Sequence, residues 1–248
     1  MIYVYAIADR PQRPLPEQLG LNDAQLAKVV CRDIAAVVSA CDDARLSNGA
    51  DELWRHEAVV EALMRERTVL PVRFATLLPT PRHVAELLCR AYRALARDIA
   101  RVRGRVEIGM RFLAACANDA DADCACAVSD GDSPGGAHRG SAYLRAKLAD
   151  LQHRRARRRV ELRRVRDVYE LLASHADAST LDGDPETAHA ISAAFLVPRD
   201  GVEVFRNLVG EVAGAHPELA LLCTGPWPPY SFVTTGPRTN SSDACHGR

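Results

Sequence analysis

Aromatic side chains are scarce in this chain, thirteen among 248 residues. The core must therefore be mostly aliphatic, and a place where aromatics gather is informative. Long apolar runs are missing as well. No stretch reaches eighteen apolar residues, so a membrane-spanning helix has nothing to form from. There is no excess of either charge: 32 basic and 32 acidic residues cancel, so no global field draws the chain to nucleic acid or a lipid surface. Cysteine is sparse at eight residues, far below the roughly 8–10% of a disulfide scaffold. Cys31, Cys41, Cys89, Cys116 and Cys223 lie in or beside apolar patterns and are expected to act as small hydrophobes in a reduced protein. Met1-Ile2-Tyr3-Val4-Tyr5 has no basic segment before it, and a cytoplasmic location is expected. Phosphate-loop, dinucleotide, nucleophile-elbow and zincin motifs are all absent, so the chain is expected to be no enzyme and to need no cofactor.

What is present reads as α+β. With 48% hydrophobic and 26% charged residues the chain can bury two modest cores, and two domains are expected. In the first, residues 1–104, an opening strand and a Pro-rich loop precede a hairpin, 26–31 and 34–39, turning at Arg32-Asp33. A helix capped by Asp51 follows, with a stripe of Leu53, His56, Val60, Leu63 and Met64, then one strand over 69–78 with Pro71 pushing it toward an edge. Thr80-Pro81 starts a second helix, which Gly104 closes. The second domain, 105–235, begins with an alternating strand that sets Ile108, Met110 and Phe112 against Glu107, Gly109 and Arg111.

Residues 117–139, rich in aspartate and punctuated by Ser-Pro-Gly-Gly, are expected to be a flexible acidic insertion, and 236–248 a disordered tail. A long helix then runs over about 140–174. Its apolar spacing breaks at Arg155 and Arg158, so its centre is expected to be exposed while its ends pack. A strand at 190–197, a helix opened by an Asp200–Glu203 capping box and a strand at 218–223 complete the order. This approaches a ferredoxin-like βαββαβ plan but lacks a clear second strand, unless Tyr230 to Thr234 supplies an edge.

The arginine-dense segment His153 to Arg166 could contact a polyanion as part of a nucleic-acid-associated regulator. The expectation is instead a solvated face that neutralises the acidic insertion, with no nucleic acid and no membrane as partner. A ligand pocket in a small-molecule-binding ferredoxin-like domain is the other alternative. Cys124-Ala125-Cys126 and Cys245-His246 lack the paired spacing of structural zinc sites, and no metal is expected. His56 has no Ser, Cys or carboxylate arranged as a catalytic partner and reads as a core histidine, and Arg73 as structural.

Near the C-terminus stands Gly225-Pro226-Trp227-Pro228-Pro229-Tyr230-Ser231-Phe232-Val233. Its prolines fix the backbone and remove donors, which makes a stiff strap unfit for a central strand. Val69-Leu70-Pro71-Val72-Arg73-Phe74-Ala75-Thr76 forms a second signature, preceded by His56 and by Tyr3-Val4-Tyr5. Together these resemble the gas vesicle protein F/L family (GvpF/GvpL) over nearly the whole length. Two departures are Ala75, where that family usually has Gly, and Arg32-Asp33, where a Gly-Asp turn is common.

The resemblance implies two α+β domains, the C-terminal one a modified ferredoxin-like domain with a long helix. It also implies an accessory protein of gas vesicle formation that associates with the hydrophobic shell protein and other accessory proteins at the gas vesicle. Pro226, Trp227, Pro228, Pro229, Tyr230 and Phe232 are the candidate interface or signature residues; His56, Pro71, Arg73 and Phe74 are the structural signature. Whether the strap is an anchor for an apolar partner or a cap on a core stays open at this point.

Overall fold

The computed structural model describes residues 1–41, 49–114, 136–182 and 190–234. Packing divides the chain into two compact units. One comprises Met1–Gly109, Ala194–Val202 and the described residues from Thr224 on; the other comprises Met110–Ala193 and Glu203–Cys223.

The first unit holds β1 (Ile2–Asp9), β2 (Ala27–Cys31), β3 (Ile34–Ala40), α1 (Ala50–Glu66), β4 (Val69–Pro71), β5 (Leu77–Leu78) and α2 (Pro81–Val102). Its sheet has the order β2-β3-β1-β4, with β5 also paired to β1. β1 is antiparallel to β3, β4 and β5, and is buried at every position after Ile2. A central strand covered on both faces needs just that run of apolar and small residues. The β2–β3 hairpin forms as expected, with Arg32 in the left-handed region at φ 59°. Its tip is docked on α2: Cys31 Sγ lies 3.0 Å from Cys89 Sγ, Arg32 covers the Tyr92 ring at 4.4 Å, and Tyr92 donates to Asp33 at 2.6 Å.

Three expectations for this unit are corrected. The strand over 69–78 splits into β4 and β5, because Ala75 takes φ 63° and turns the chain. Helix α1 starts after Gly49 rather than at a capping Asp51. Its buried stripe is His56, Val59, Val60 and Leu63, with Met64 partly buried against the core; Leu53 keeps the spacing but, in the first turn, is exposed. Pro71 lies in edge strand β4, where a missing N–H breaks no central ladder. Thr80 caps α2, and Gly104 follows its C-terminus at φ 71°, a conformation only glycine adopts freely.

The remaining elements are β6 (Arg105–Ala114), α3 (Gly136–Ala173), β7 (Ala178–Asp182), β8 (Ala190–Pro198), α4 (Val202–Ala215) and β9 (Leu219–Trp227). Their sheet has the order β7-β8-β6-β9. Strand β7 is the element that sequence reading lacks; Tyr230–Phe232 is not a strand but a 3-10 turn, closed by N–H donation from Tyr230 and Phe232 to the carbonyls of Pro228 and Pro229. Tyr169 of α3 and Ser179 of β7 are hydrogen bonded at 2.8 Å.

Helix α3 begins at Gly136, so the last four residues of the expected insertion are helical. Its C-terminal end is buried through Val165, Val168 and Leu172, but Leu144, Leu148 and Leu151 are exposed, contrary to the expectation that both ends pack. That first stripe is only one residue wide, hemmed by Arg145, Lys147 and Asp150. Asp200 is not the N-cap of α4 either: it lies inside a 3-10 turn, Arg199–Gly201, and the helix starts at Val202. Residues 117–135 of the insertion, the 236–248 tail, Cys116, Cys124, Cys126, Cys245 and His246 lie outside the described residues.

Candidate functional site

Residues from three distant segments meet in the first unit. Helix periodicity turns His56 inward, where it is fully buried among aromatic rings. Tyr5 stacks on it with centroids 5.7 Å apart, while Phe74 stands edge-on at 5.9 Å. Phe74 and Ala75 form the turn between β4 and β5, and Ala75 N donates to Tyr3 Oη at 3.1 Å.

Tyr3 Oη lies 2.9 Å from His56 Nδ1, and His56 Nε2 lies 3.3 Å from Tyr230 Oη, which donates to Glu57 Oε1 at 2.8 Å. A consistent assignment of the hydrogens runs donation from Ala75 through Tyr3, His56 and Tyr230 to Glu57. His56 is then neutral, with its proton on Nε2. Burial agrees with that state: desolvation lowers its pKa to about 4, and the Val72 carbonyl offsets only part of the effect. Desolvation likewise raises the pKa of Tyr3, Tyr230 and Glu57.

The strap divides by direction. Pro226 and Trp227 are exposed at the end of edge strand β9, with Trp227 39% accessible, whereas Pro228, Pro229 and Phe232 are buried. Gly225 makes the bend at φ 109°; a Cβ there would lie 2.8 Å from the Glu107 carbonyl oxygen. The Gly225-Pro226 peptide is cis. Beyond the bend two buried carboxylates hold the chain. Glu107 accepts from Ser231 N and Oγ, both at 2.8 Å, and Asp98 accepts from Thr234 N at 2.9 Å and Thr234 Oγ1 at 2.7 Å. Arg101 bridges Asp98 to the Phe232 carbonyl. Burial raises the Glu107 pKa, partly countered by the Ser231 bonds.

His56, Phe74 and Tyr230 are thus brought together; Pro71 lies nearby in sequence on β4, and Arg73 is exposed, its carbonyl accepting from Thr76 Oγ1 at 2.7 Å. Tyr3, Glu57, Asp98 and Glu107 are members that sequence reading does not single out. Asp98 left a trace: it occupies a stripe position of α2, three residues after Leu95, where a carboxylate needs a partner. Glu107 left none, since alternation puts it on the outward face of β6, yet it is only 9% exposed. Among the described residues no group of three or more His, Cys, Asp and Glu could hold a metal ion, and no helix is long and apolar enough to cross a membrane.

This arrangement of two sheets and their helices has solved counterparts. The crystal structure of gas vesicle protein GvpF from Anabaena sp. PCC7120 matches with a TM-score of 0.70 at 20% identity, over 95% of this chain and 96% of that one. GvpF from Microcystis aeruginosa matches with a TM-score of 0.68 at 20% identity, over 94% and 99%. The fold is therefore that of the GvpF structures. In sequence, gas vesicle protein F2 of Halobacterium salinarum is 26% identical over 237 residues, covering 94% of this chain and 91% of the relative. Gas vesicle protein L of a Streptomyces species is 29% identical over 259 residues, covering 93% and 92%. The profile of the family described as "Gas vesicle synthesis protein GvpL/GvpF" matches residues 1–234. The chain belongs to that family, and its role is related to gas vesicles.

Proposed function

We propose that this chain is a non-enzymatic accessory protein of gas vesicle formation, acting in the cytoplasm at the growing vesicle. It binds the hydrophobic shell protein and holds or delivers it by mass action, without ATP. A shell subunit that assembles through apolar faces and strand edges aggregates when alone, and a helper needs a matching apolar edge. The observation that carries the site is the division of the strap. Tyr230 and Phe232 face inward, which leaves Trp227 exposed at the end of edge strand β9, where an aromatic can anchor an apolar partner.

In this reading residues 105–235 form a modified ferredoxin-like domain, supported by the element order β6-α3-β7-β8-α4-β9 and the strand order β7-β8-β6-β9. Co-expression with the shell protein followed by pull-down tests the site. Trp227→Ala is expected to remain folded and lose capture. A folded Trp227→Ala variant that captures the shell protein as well as the parent does would overturn it.

A further inference from the structure

A second feature of the first unit, independent of the strap, is a cavity of about 270 Å³ where the C-terminal ends of α1 and α2 come together. Six arginines, Arg10, Arg65, Arg67, Arg103, Arg105 and Arg199, are among the residues that line it, with one acidic residue, Glu66. Part of this charge has a structural use. Arg199 donates to the Met64 carbonyl at 2.9 Å, and Arg105 to the carbonyls of Arg101 and Arg103, both at 3.1 Å. These bonds satisfy helix C-terminal carbonyls and complement the dipoles, about half a negative charge per helix end. Asp9 lies 3.7 Å from Arg103 and offsets a further unit. Six cations against Glu66, Asp9 and two helix ends leave about three positive charges in excess.

Arg67 adds a sharper observation. Its side chain is only 1% exposed, and although one terminal nitrogen donates to the Pro14 carbonyl at 2.6 Å, its Nε has no hydrogen-bond partner among the described residues. A buried guanidinium donor left unpaired is costly, on the order of 1–3 kcal/mol. It lines a concave site already rich in positive charge.

We propose that this cavity binds a diphosphate group, as free pyrophosphate or as the terminus of a nucleoside diphosphate. Planar guanidinium forks match phosphate oxygens in pairs, and a diphosphate carries about the charge the site lacks. Size agrees: an open cavity of about 270 Å³ has room for a diphosphate with some retained hydration. Binding requires no hydrolysis and is compatible with a helper that acts by mass action.

The test is calorimetric titration and thermal melting of the full chain with pyrophosphate, ADP or orthophosphate, at ionic strength held constant with chloride. Pyrophosphate is expected to bind saturably and to raise Tm by roughly 5–10 °C at a hundredfold excess over Kd. Arg10 and Arg65 are exposed, so Arg10→Gln/Arg65→Gln should fold normally and weaken pyrophosphate binding at least about tenfold. Arg155→Gln/Arg159→Gln on α3 removes the same charge elsewhere and should leave binding unchanged. Tighter binding of ADP than of pyrophosphate identifies the nucleotide terminus as the source, pyrophosphate binding as tight or tighter identifies the free anion, and orthophosphate binding as tightly as either overturns the assignment to a diphosphate. The proposal is overturned if no phosphate ligand gives saturable binding beyond the chloride control, or if the α3 variant loses binding as fully as the cavity variant.

Discussion

Protonating His56 places a charge where Tyr3, Tyr5, Phe74 and Tyr230 leave no water to solvate it. Its pKa is about 4 folded against 6.5 unfolded, so below pH 6.5 the unfolded chain takes up a proton that the folded chain refuses. The contribution of His56 is therefore expected to fall as pH drops from 6.5 to about 4, by about 3 kcal/mol. Glu57 and Glu107 work in the opposite sense. Burial raises both, so their contribution is full below the unfolded value of 4.5 and fades as pH rises through their folded values. Thermal midpoints measured across pH 4–7 should show the acid loss, and His56→Gln should flatten it whatever its own midpoint.

Ala75 supplies a second test at this scale. An alanine at φ 63° carries strain of about 1 kcal/mol, which glycine relieves at some entropic cost to the unfolded chain. Ala75→Gly is expected to raise stability by up to about 1 kcal/mol in denaturant titration; a loss of stability would contradict the strain. Arg32→Gly should gain less, because it also gives up the contact over Tyr92. Both departures from the family pattern are visible in the sequence, but their positive φ values are not. A core role for His56 is legible from helix spacing, whereas its partner Tyr230, 174 residues away, is not.

Among elements, the strap is the one whose sequence says most about its path. Three prolines exclude it from a sheet centre, and it indeed runs on from edge strand β9. Its turn at Tyr230 was not legible, because it depends on carboxylates supplied by α2 and β6. Strand β7 escapes for another reason: Ala178–Asp182 is short and mostly half-exposed, so it carries no apolar alternation to read. Asp98→Ala and Glu107→Ala each remove a charged acceptor from the strap, at a cost of about 1.5–3 kcal/mol. Hydrogen exchange at Ser231 and Thr234 should accelerate in both variants, and unchanged protection would mean that these bonds do not hold the strap.

For the whole molecule, the first unit is discontinuous in sequence, closed by residues from both ends of the chain. Cutting the chain after Cys223 removes Phe232 from its core and leaves Asp98 and Glu107 without the partners they have there. Burial of one phenylalanine is alone worth about 3–5 kcal/mol, so the truncated chain is expected to melt roughly 10 °C or more below the full one. Calorimetry would check this, and an unchanged midpoint would show that the strap contributes nothing to the unit.

The same closure sets an order of events during synthesis. Glu57 and its partner Tyr230 are 173 residues apart, so at 5–20 residues per second they leave the ribosome roughly 9–35 s apart. Until Tyr230 emerges, His56 and Glu57 have no lid from the strap, and the nascent first unit must be tolerated in the cell with that aromatic pocket open.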